Sequence, residues 1–469
     1  MNQTIRSVSP IDGSIYLERE CATSGEIAAA CAAARAAQHD WAARPLAERA
    51  SVCTAFVDAV LAHGEDISVE LARQMGRPVR HGAGELAGFE ERARHMIGIA
   101  GEALADVDPG EKAGFRRFIR RVPLGTVMTI APWNFPFLTT VNSVVPALMA
   151  GNALLLKHAS HTLRVGERFA EAFAEAGLPE GLFHHLVLDH EQSAALIGSG
   201  EIDMVCFTGS VPAGRAIERA ALEAASNQRF IPVGLELGGK DPAYVRHDAD
   251  LAHAIENIAD GAFFNAGQSC CGIERVYVHA DVHDEFVAGV SEAARALVLG
   301  DPLDPATTLG PLVTPKAADF VRRQIVEALA DGATAHVDAG AFERDAPGSA
   351  YLAPQVLSGV DHEMDVMREE SFGPVIGVMK VADDEEAVRL MNDSDFGLTA
   401  AIWTSDAEAA IAIGDRLETG TVFMNRCDYL DPALAWTGTK ATGRGVTLSA
   451  LGYHALTRPK SFHLRTSTS

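Results

Sequence analysis

Strand-like and helix-like stretches alternate along almost all of this sequence, and that alternation restricts the fold more than any other feature. Short apolar runs such as VMTIAPWNF (127–135), ALLLKHAS (153–160) and MVCFTGS (204–210) are separated by stretches with helical spacing at 162–176 and 212–225. A β–α–β–α order implies parallel strands in a doubly wound sheet, because each crossover helix returns the chain to the same sheet edge. A second series begins after residue 240. RVYVHA (275–280), VIGVMKV (375–381), AAIWTS (400–405) and TVFMN (421–425) alternate with helical patterns at 281–298, 315–331, near 384–391 and at 406–417. The fold class expected is therefore α/β, with two doubly wound units. Upstream, 24–41 and 46–63 are Ala-rich helices, Pro45 fitting the start of the second. Residues 80–106 read as a helix broken near 98–101. GFRRFIRRV (114–122) alternates apolar and basic residues like an exposed two-stranded ribbon, and RPKSFHLR (458–465) reads as one more short strand.

Composition narrows the chemistry. Lys and Arg number 39 against 63 Asp and Glu, a formal net charge of −24, which excludes a general binder of nucleic acid or anionic membrane. A phosphate-bearing cofactor stays compatible, since helix N-termini and backbone N–H groups hold phosphate without net charge. The first residues, MNQTIRSVSP, lack the apolar core of a signal peptide, and no run of apolar residues is long enough to span a bilayer. The seven cysteines are odd in number and scattered, so a reducing cytoplasm is expected rather than a disulfide scaffold. No metal site is expected. The HExxH-like stretches at His190 and His362 carry Ala194 and Val366 where a second His is needed. His184 and His185 point to opposite faces of a strand, which leaves no zinc ligand set with His190.

Three stretches carry candidate chemistry, each with a plainer alternative. FFNAGQSCCGIER (263–275) places Cys270 after a Gly-Gln-Ser turn. Backbone N–H groups at such a turn favour the nucleophilic thiolate; alternatively Cys270 and Cys271 are small buried hydrophobes. GLELGGKDP (234–242) sets Glu236 in an otherwise apolar strand. Desolvation there raises a carboxyl toward the range of a general base, unless the side chain turns to solvent. APWNFPF (131–137) stiffens Asn134 between two prolines, where its amide is either an oxyanion donor or a locally satisfied turn residue. Three loops suggest a cofactor: FTGSVPAGR (207–215), a helix start with Gly209 and Ser210; Lys157 at a strand end; and EESFGP (369–374), with Glu370 and Phe372. The GxGxxG dinucleotide fingerprint is absent.

Taken in order, PWNFP, GNALLLK, FTGS, LELGGKDP, FNAGQSC, EESFGPV, NDSDFGL and GTVFMN resemble the aldehyde dehydrogenase superfamily over essentially the whole chain. The resemblance implies a cofactor-binding domain at 1–106 and 124–238, a catalytic domain at 239–440, and a bridging arm at 107–123 and 441–469 that builds homodimers or homotetramers. It implies NAD(P)-dependent oxidation of an aldehyde, with Cys270 as nucleophile, Asn134 and the Cys270 N–H as oxyanion donors, and Glu236 activating water. Trp133, Lys157, Ser160, Gly209, Ser210, Leu237, Gly238, Glu370 and Phe372 would contact NAD or NADP. Phe135, Thr139, Asn142, Phe264, Ser269, Arg426, Asp428 and Trp436 would line a substrate tunnel. There Arg426 either holds the carboxylate of a semialdehyde or pairs with Asp428. Several positions depart from the family, among them the 185–196 segment, which lacks a glycine-rich turn, and Ala435-Trp436-Thr437-Gly438; two more bear on the chemistry. Ser160 stands where many NAD-dependent members carry an acid, which makes NADP compatible. Thr447 stands where a glutamate is common, which removes a proton relay at that position. A CoA-acylating enzyme, and a binding protein that kept the fold without the activity, are the alternatives.

Overall fold

A computed structural model describes residues 3–226 and 229–467; the expected arm's residues 468 and 469 lie outside them. Among these residues two largely parallel sheets dominate. The first has six strands in the order Gly443–Arg444, Val233–Glu236, Met204–Thr208, Thr126–Ile130, Ala153–Lys157 and Phe183–His185. All its pairings are parallel except that of the edge strand Gly443–Arg444. The second has seven, in the order Thr334–Ala335, Gln355–Ser358, Val375–Val381, Ile273–His279, Asp241–Val245, Thr399–Trp403 and Thr421–Met424. Its only antiparallel pairing is that of the first two. Thr126–Ile130 and Asp241–Val245 are buried along their whole length, as strands covered by helices on both faces must be.

The helices at 24–43, 46–61, 163–175, 211–226, 283–295 and 315–330 match the sequence pattern within a few residues. The break expected near 98–101 does not occur: Gly82–Ala103 is one helix. A Cβ at Gly98 or Gly101 would meet nothing within 4 Å, so these glycines leave the helix unkinked and only lower its intrinsic stability. The helices that the pattern did not reveal include Leu251–Phe263, Gly64–Met75, ended by Gly76 at φ +85°, and Pro136–Met149. The last is buried on almost every side, its Thr140, Asn142 and Ser143 included, so it lacks the polar face by which a surface helix is recognised. It packs against Gly82–Ala103. The ribbon appears as expected, with Phe115–Pro123 pairing antiparallel to Thr457–Arg465 over nine residue pairs and the Phe118 and Phe462 rings stacked 4.4 Å apart. No described helix is long and apolar enough to cross a membrane.

Candidate active site

Cys270 lies in the turn between a short helical segment, Phe264–Gly267, and the strand Ile273–His279. That turn is reached through three successive left-handed residues, Asn265, Ala266 and Gly267, at φ 53°, 56° and 70°. Two of them are not glycine, so the conformation costs free energy and persists because the surroundings hold it. Those surroundings are a buried polar network. Asn265 Nδ2 donates to the carbonyls of Asn134 (3.2 Å) and Gln268 (3.1 Å). Gln268 Nε2 donates back to the Asn265 carbonyl, and its Oε1 accepts from Val313 N. Asn134 Nδ2 donates to the Gln268 carbonyl at 3.2 Å, which brings an amide from the first sheet onto the cysteine loop of the second.

Asn134 is itself held from outside the motif. Arg77 Nη2 donates to its carbonyl, Arg77 Nε donates to Asn265 Oδ1, and Arg77 Nη1 pairs with Glu85. Glu85 Oε1 accepts from Phe137 N (2.9 Å) and Leu138 N (3.0 Å). A carboxylate therefore caps the N-terminus of the Pro136–Met149 helix, where the free N–H groups and the helix dipole favour an anion. Arg77 and Glu85 are 1% and 3% exposed. Neither appears among the sequence candidates, because an isolated charge, in a Gly-Arg-Pro turn for Arg77 and in a helical stretch for Glu85, looks like a solvated residue.

Glu236 ends the strand Val233–Glu236. Its Oε1 accepts from Thr447 Oγ1 at 2.6 Å and its Oε2 from Thr208 Oγ1 at 3.5 Å. Burial pushes this carboxyl above the ordinary glutamate range, against the Thr447 hydroxyl and the positive charge of Arg92. Thr447 thus takes a neutral role at the position where the resemblance suggested a missing glutamate: its hydroxyl anchors the Glu236 carboxylate.

Three cavities meet at Glu236. The largest, about 750 Å³, is lined by Trp133, Lys157, Ser160, Gly209, Ser210, Leu237, Gly238, Glu370 and Phe372, together with Asn134, Glu236 and Cys270. Every sequence candidate for cofactor contact faces this one cleft. Its walls fit a dinucleotide. The helix Val211–Ser226 opens onto it with Ser210 and Pro212, a ready phosphate seat. A Cβ at Gly238 would collide with the Glu370 carboxylate, and one at Gly239 with the Cys270 carbonyl, so bare backbone is required on this wall. Phe372, at φ 50°, meets the Trp133 ring edge-on at 5.6 Å. Its loop is fixed by Glu274, which accepts from Ser371 N (2.8 Å) and Phe372 N (2.9 Å) and pairs with the buried Lys240. Lys240 and Glu274 lie inside the GGKDP and GIER stretches, so motif adjacency pointed toward them. Burial and the Glu274 charge push the Glu370 carboxyl up to about 8.

The second cavity, about 540 Å³, reaches Cys270 and Glu236 past Phe135, Thr139, Asn142, Phe264, Ser269, Asp428 and Trp436. Arg426 is the exception among the tunnel candidates. It is exposed, it does not line this cavity, and its guanidinium lies 3.8 Å from the Tyr429 ring centroid. Nor does it pair with Asp428, whose Oδ1 instead accepts from Ser269 Oγ (2.8 Å) and Cys271 Sγ (2.9 Å). Left-handed backbone at Asn425 and Asp428 turns the loop, and a cation–π contact captures the side chain. The third cavity, about 220 Å³, lies behind Glu236 and is lined by Thr129, Ser143, Thr208 and Thr447 among mostly apolar residues.

Comparison with known proteins places this architecture. The family model described as "Aldehyde dehydrogenase family" matches residues 1–462. The chain is 33% identical over 468 residues to the succinate-semialdehyde dehydrogenase [NADP(+)] of Mycobacterium avium (strain 104), covering 99% of this chain and 98% of that protein. It is 34% identical to the 3,6-anhydro-alpha-L-galactose dehydrogenase of Streptomyces coelicolor (strain ATCC BAA-471 / A3(2) / M145), covering 98% and 93%. Among solved structures, the NAD-dependent aldehyde dehydrogenase from Sinorhizobium meliloti superposes with a TM-score of 0.93 at 31% identity, covering 100% of this chain and 92% of that one. With its whole length matched in sequence and fold, the chain belongs to the aldehyde dehydrogenase family.

Proposed function

We propose that this enzyme oxidises an aldehyde to a carboxylic acid with NAD or NADP, through a covalent adduct on Cys270. The observation that carries the reading is that Cys270 and Glu236 border both the large cleft and the narrower tunnel, so nucleophile and base face the point where the two spaces meet. The aldehyde enters by the tunnel. The Cys270 thiolate adds to its carbonyl carbon, and the oxyanion accepts hydrogen bonds from the Asn134 amide and the Cys270 N–H. The nicotinamide, when bound in the cleft, supplies the hydride acceptor that takes the thiohemiacetal to a thioester. Glu236, raised toward neutrality by burial, then accepts a proton from the water that attacks the thioester. Acid leaves and the thiol is restored.

Lys157 and Ser160 face the cleft together without an acidic neighbour among its lining residues other than Glu236 and Glu370. This supports acceptance of NADP as well as NAD, in keeping with relatives named for one or the other. The sheet from Thr126 to Glu236 serves the cofactor, and the sheet that follows carries the nucleophile. The ribbon Phe115–Pro123 with Thr457–Arg465 projects as an arm for a homodimer or homotetramer. All seven cysteines are free thiols, which supports a reducing, cytoplasmic setting.

Replacement of the thiol and of the base separates the two half-reactions. Cys270→Ala should abolish aldehyde-dependent reduction of NAD(P). Glu236→Gln should keep a first-turnover burst of reduced cofactor while steady-state turnover falls by about 10²–10⁴. Near-native turnover in the first variant, or loss of the burst in the second, would sink the assignment.

A further inference from the structure

We infer that Arg92 and Asn142 seat the far end of the substrate, and that this end is a carboxylate. The inference rests on the reading of the second cavity as the aldehyde's path to Cys270.

Arg92 projects from the helix Gly82–Ala103 and is 4% exposed. Its Nη1 donates to the Leu138 carbonyl (2.8 Å) and to Asn142 Oδ1 (3.4 Å). Among the described residues no carboxylate lies within ion-pair distance of it, whereas the equally buried Arg77 on the same cavity has Glu85. The charge is close enough to Cys271, Glu85, Glu236 and Cys270 to interact with all four, but none of them forms an ion pair or hydrogen bond with it. A guanidinium cannot shed its proton to escape this burial, so an unpaired one is costly unless a counter-charge arrives. Asn142, 3% exposed, has given its oxygen to Arg92, and its Nδ2 has no hydrogen-bond partner. Both side chains line the cavity. One wall therefore offers a guanidinium whose acceptors are neutral oxygens, and beside it a free amide N–H₂. A planar carboxylate accepts from both, and the guanidinium fork suits it.

The acids of the same cavity do not neutralise this wall. Glu85 is paired with Arg77, Glu236 accepts from Thr447 and Thr208, Asp428 is taken up by Ser269 and Cys271, and Glu91 accepts from the Tyr429 hydroxyl at 2.6 Å. Glu91 and Asp260 are exposed, at the rim. The role first suggested for Arg426, a loop residue, thus falls to an arginine on the helix Gly82–Ala103, deeper in the protein and on the cavity itself.

The test compares succinate semialdehyde, butanal and an ω-aminobutanal on the intact enzyme with each cofactor. The wild type should prefer succinate semialdehyde to butanal by about tenfold or more in kcat/KM, carried mainly by KM, the scale of a charge-assisted hydrogen bond. That ratio should collapse toward one in Arg92→Met and recover in part in Arg92→Lys. It should also be lost in Asn142→Asp, where the new carboxylate occupies the guanidinium. The ratio is insensitive to a general loss of activity, and the Asn142 variant and the wild-type panel stand even if Arg92→Met fails to fold. A wild type that favours butanal or the amino aldehyde, or a ratio unchanged across the variants, overturns the inference. Absence of turnover with all three aldehydes overturns instead the parent reading of an aldehyde dehydrogenase, and this one with it.

Discussion

Glu85 offers a sharp test of how the site is held together, because it does two jobs with one carboxylate. It neutralises Arg77, and it caps the helix that begins just after Asn134. Glu85→Gln removes the charge but keeps an oxygen for the Phe137 and Leu138 N–H groups. The loss is then chiefly the stranded guanidinium, 1% exposed and left with only Asn265 Oδ1 and the Asn134 carbonyl as acceptors. Removing one partner of a buried pair costs about 3–5 kcal/mol. Taking the lower half of that range, since two acceptors remain, and about 2–4 °C per kcal/mol for a domain of this size, Tm should fall by roughly 10 °C. The assay is differential scanning fluorimetry at fixed scan rate, with aldehyde oxidation measured in parallel. The double variant Arg77→Met, Glu85→Gln has no stranded charge and should regain more than half of the lost Tm. It should not regain activity, because Asn134 has lost its clamp. A fall of less than about 2 °C in the single variant, against the cost of breaking a buried pair, would refute the reasoning. So would a double variant whose loss is the sum of the two singles.

Two further outcomes follow from the site's electrostatics. The Thr447 hydroxyl favours the charged form of Glu236, so Thr447→Val should move the acidic limb of the kcat–pH profile to higher pH, and an unmoved limb would deny Thr447 that role. Glu370 has a folded-state pKa of about 8 against the ordinary 4.5. A carboxyl raised on folding contributes stability below the unfolded value and loses it as pH rises through the folded one. Wild-type Tm should therefore decline between about pH 4.5 and 8 relative to Glu370→Gln, and parallel curves for the two proteins would exclude the shift.

The motifs read from the sequence are those in which the chemistry and its scaffold are contiguous. The stretches around Asn134, Glu236 and Cys270 each combine a strand end with a turn, and a strand end in a doubly wound sheet opens onto the ligand crevice. The same holds for Lys157 and Ser210, which is why each cofactor candidate faces one cleft. Arg77, Glu85 and Arg92 escaped notice for the opposite reason. Their meaning arises only when the helix Gly82–Ala103 packs on Pro136–Met149, and the sequence pattern did not reveal the second of these. Arg426 misled because adjacency to Asp428 suggested an ion pair, while backbone of positive φ and a neighbouring tyrosine ring decide where the guanidinium rests. The helix Gly64–Met75 had a usable signal in Gly76, a glycine placed where a left-handed C-cap is favoured.

The edge strand Gly443–Arg444 pairs with Leu235 and Glu236, Thr447 clasps the Glu236 carboxylate, and the Leu456 carbonyl accepts from the buried Asn152. Residues synthesised late thus complete a pocket lined also by Asn134 and Cys270, which were made long before. During translation the Cys270 sulfur emerges well ahead of the Thr447 clasp on Glu236. A polypeptide ended before residue 443 would lack both the edge strand beside Glu236 and the nearer of the two hydroxyls that hold its carboxylate.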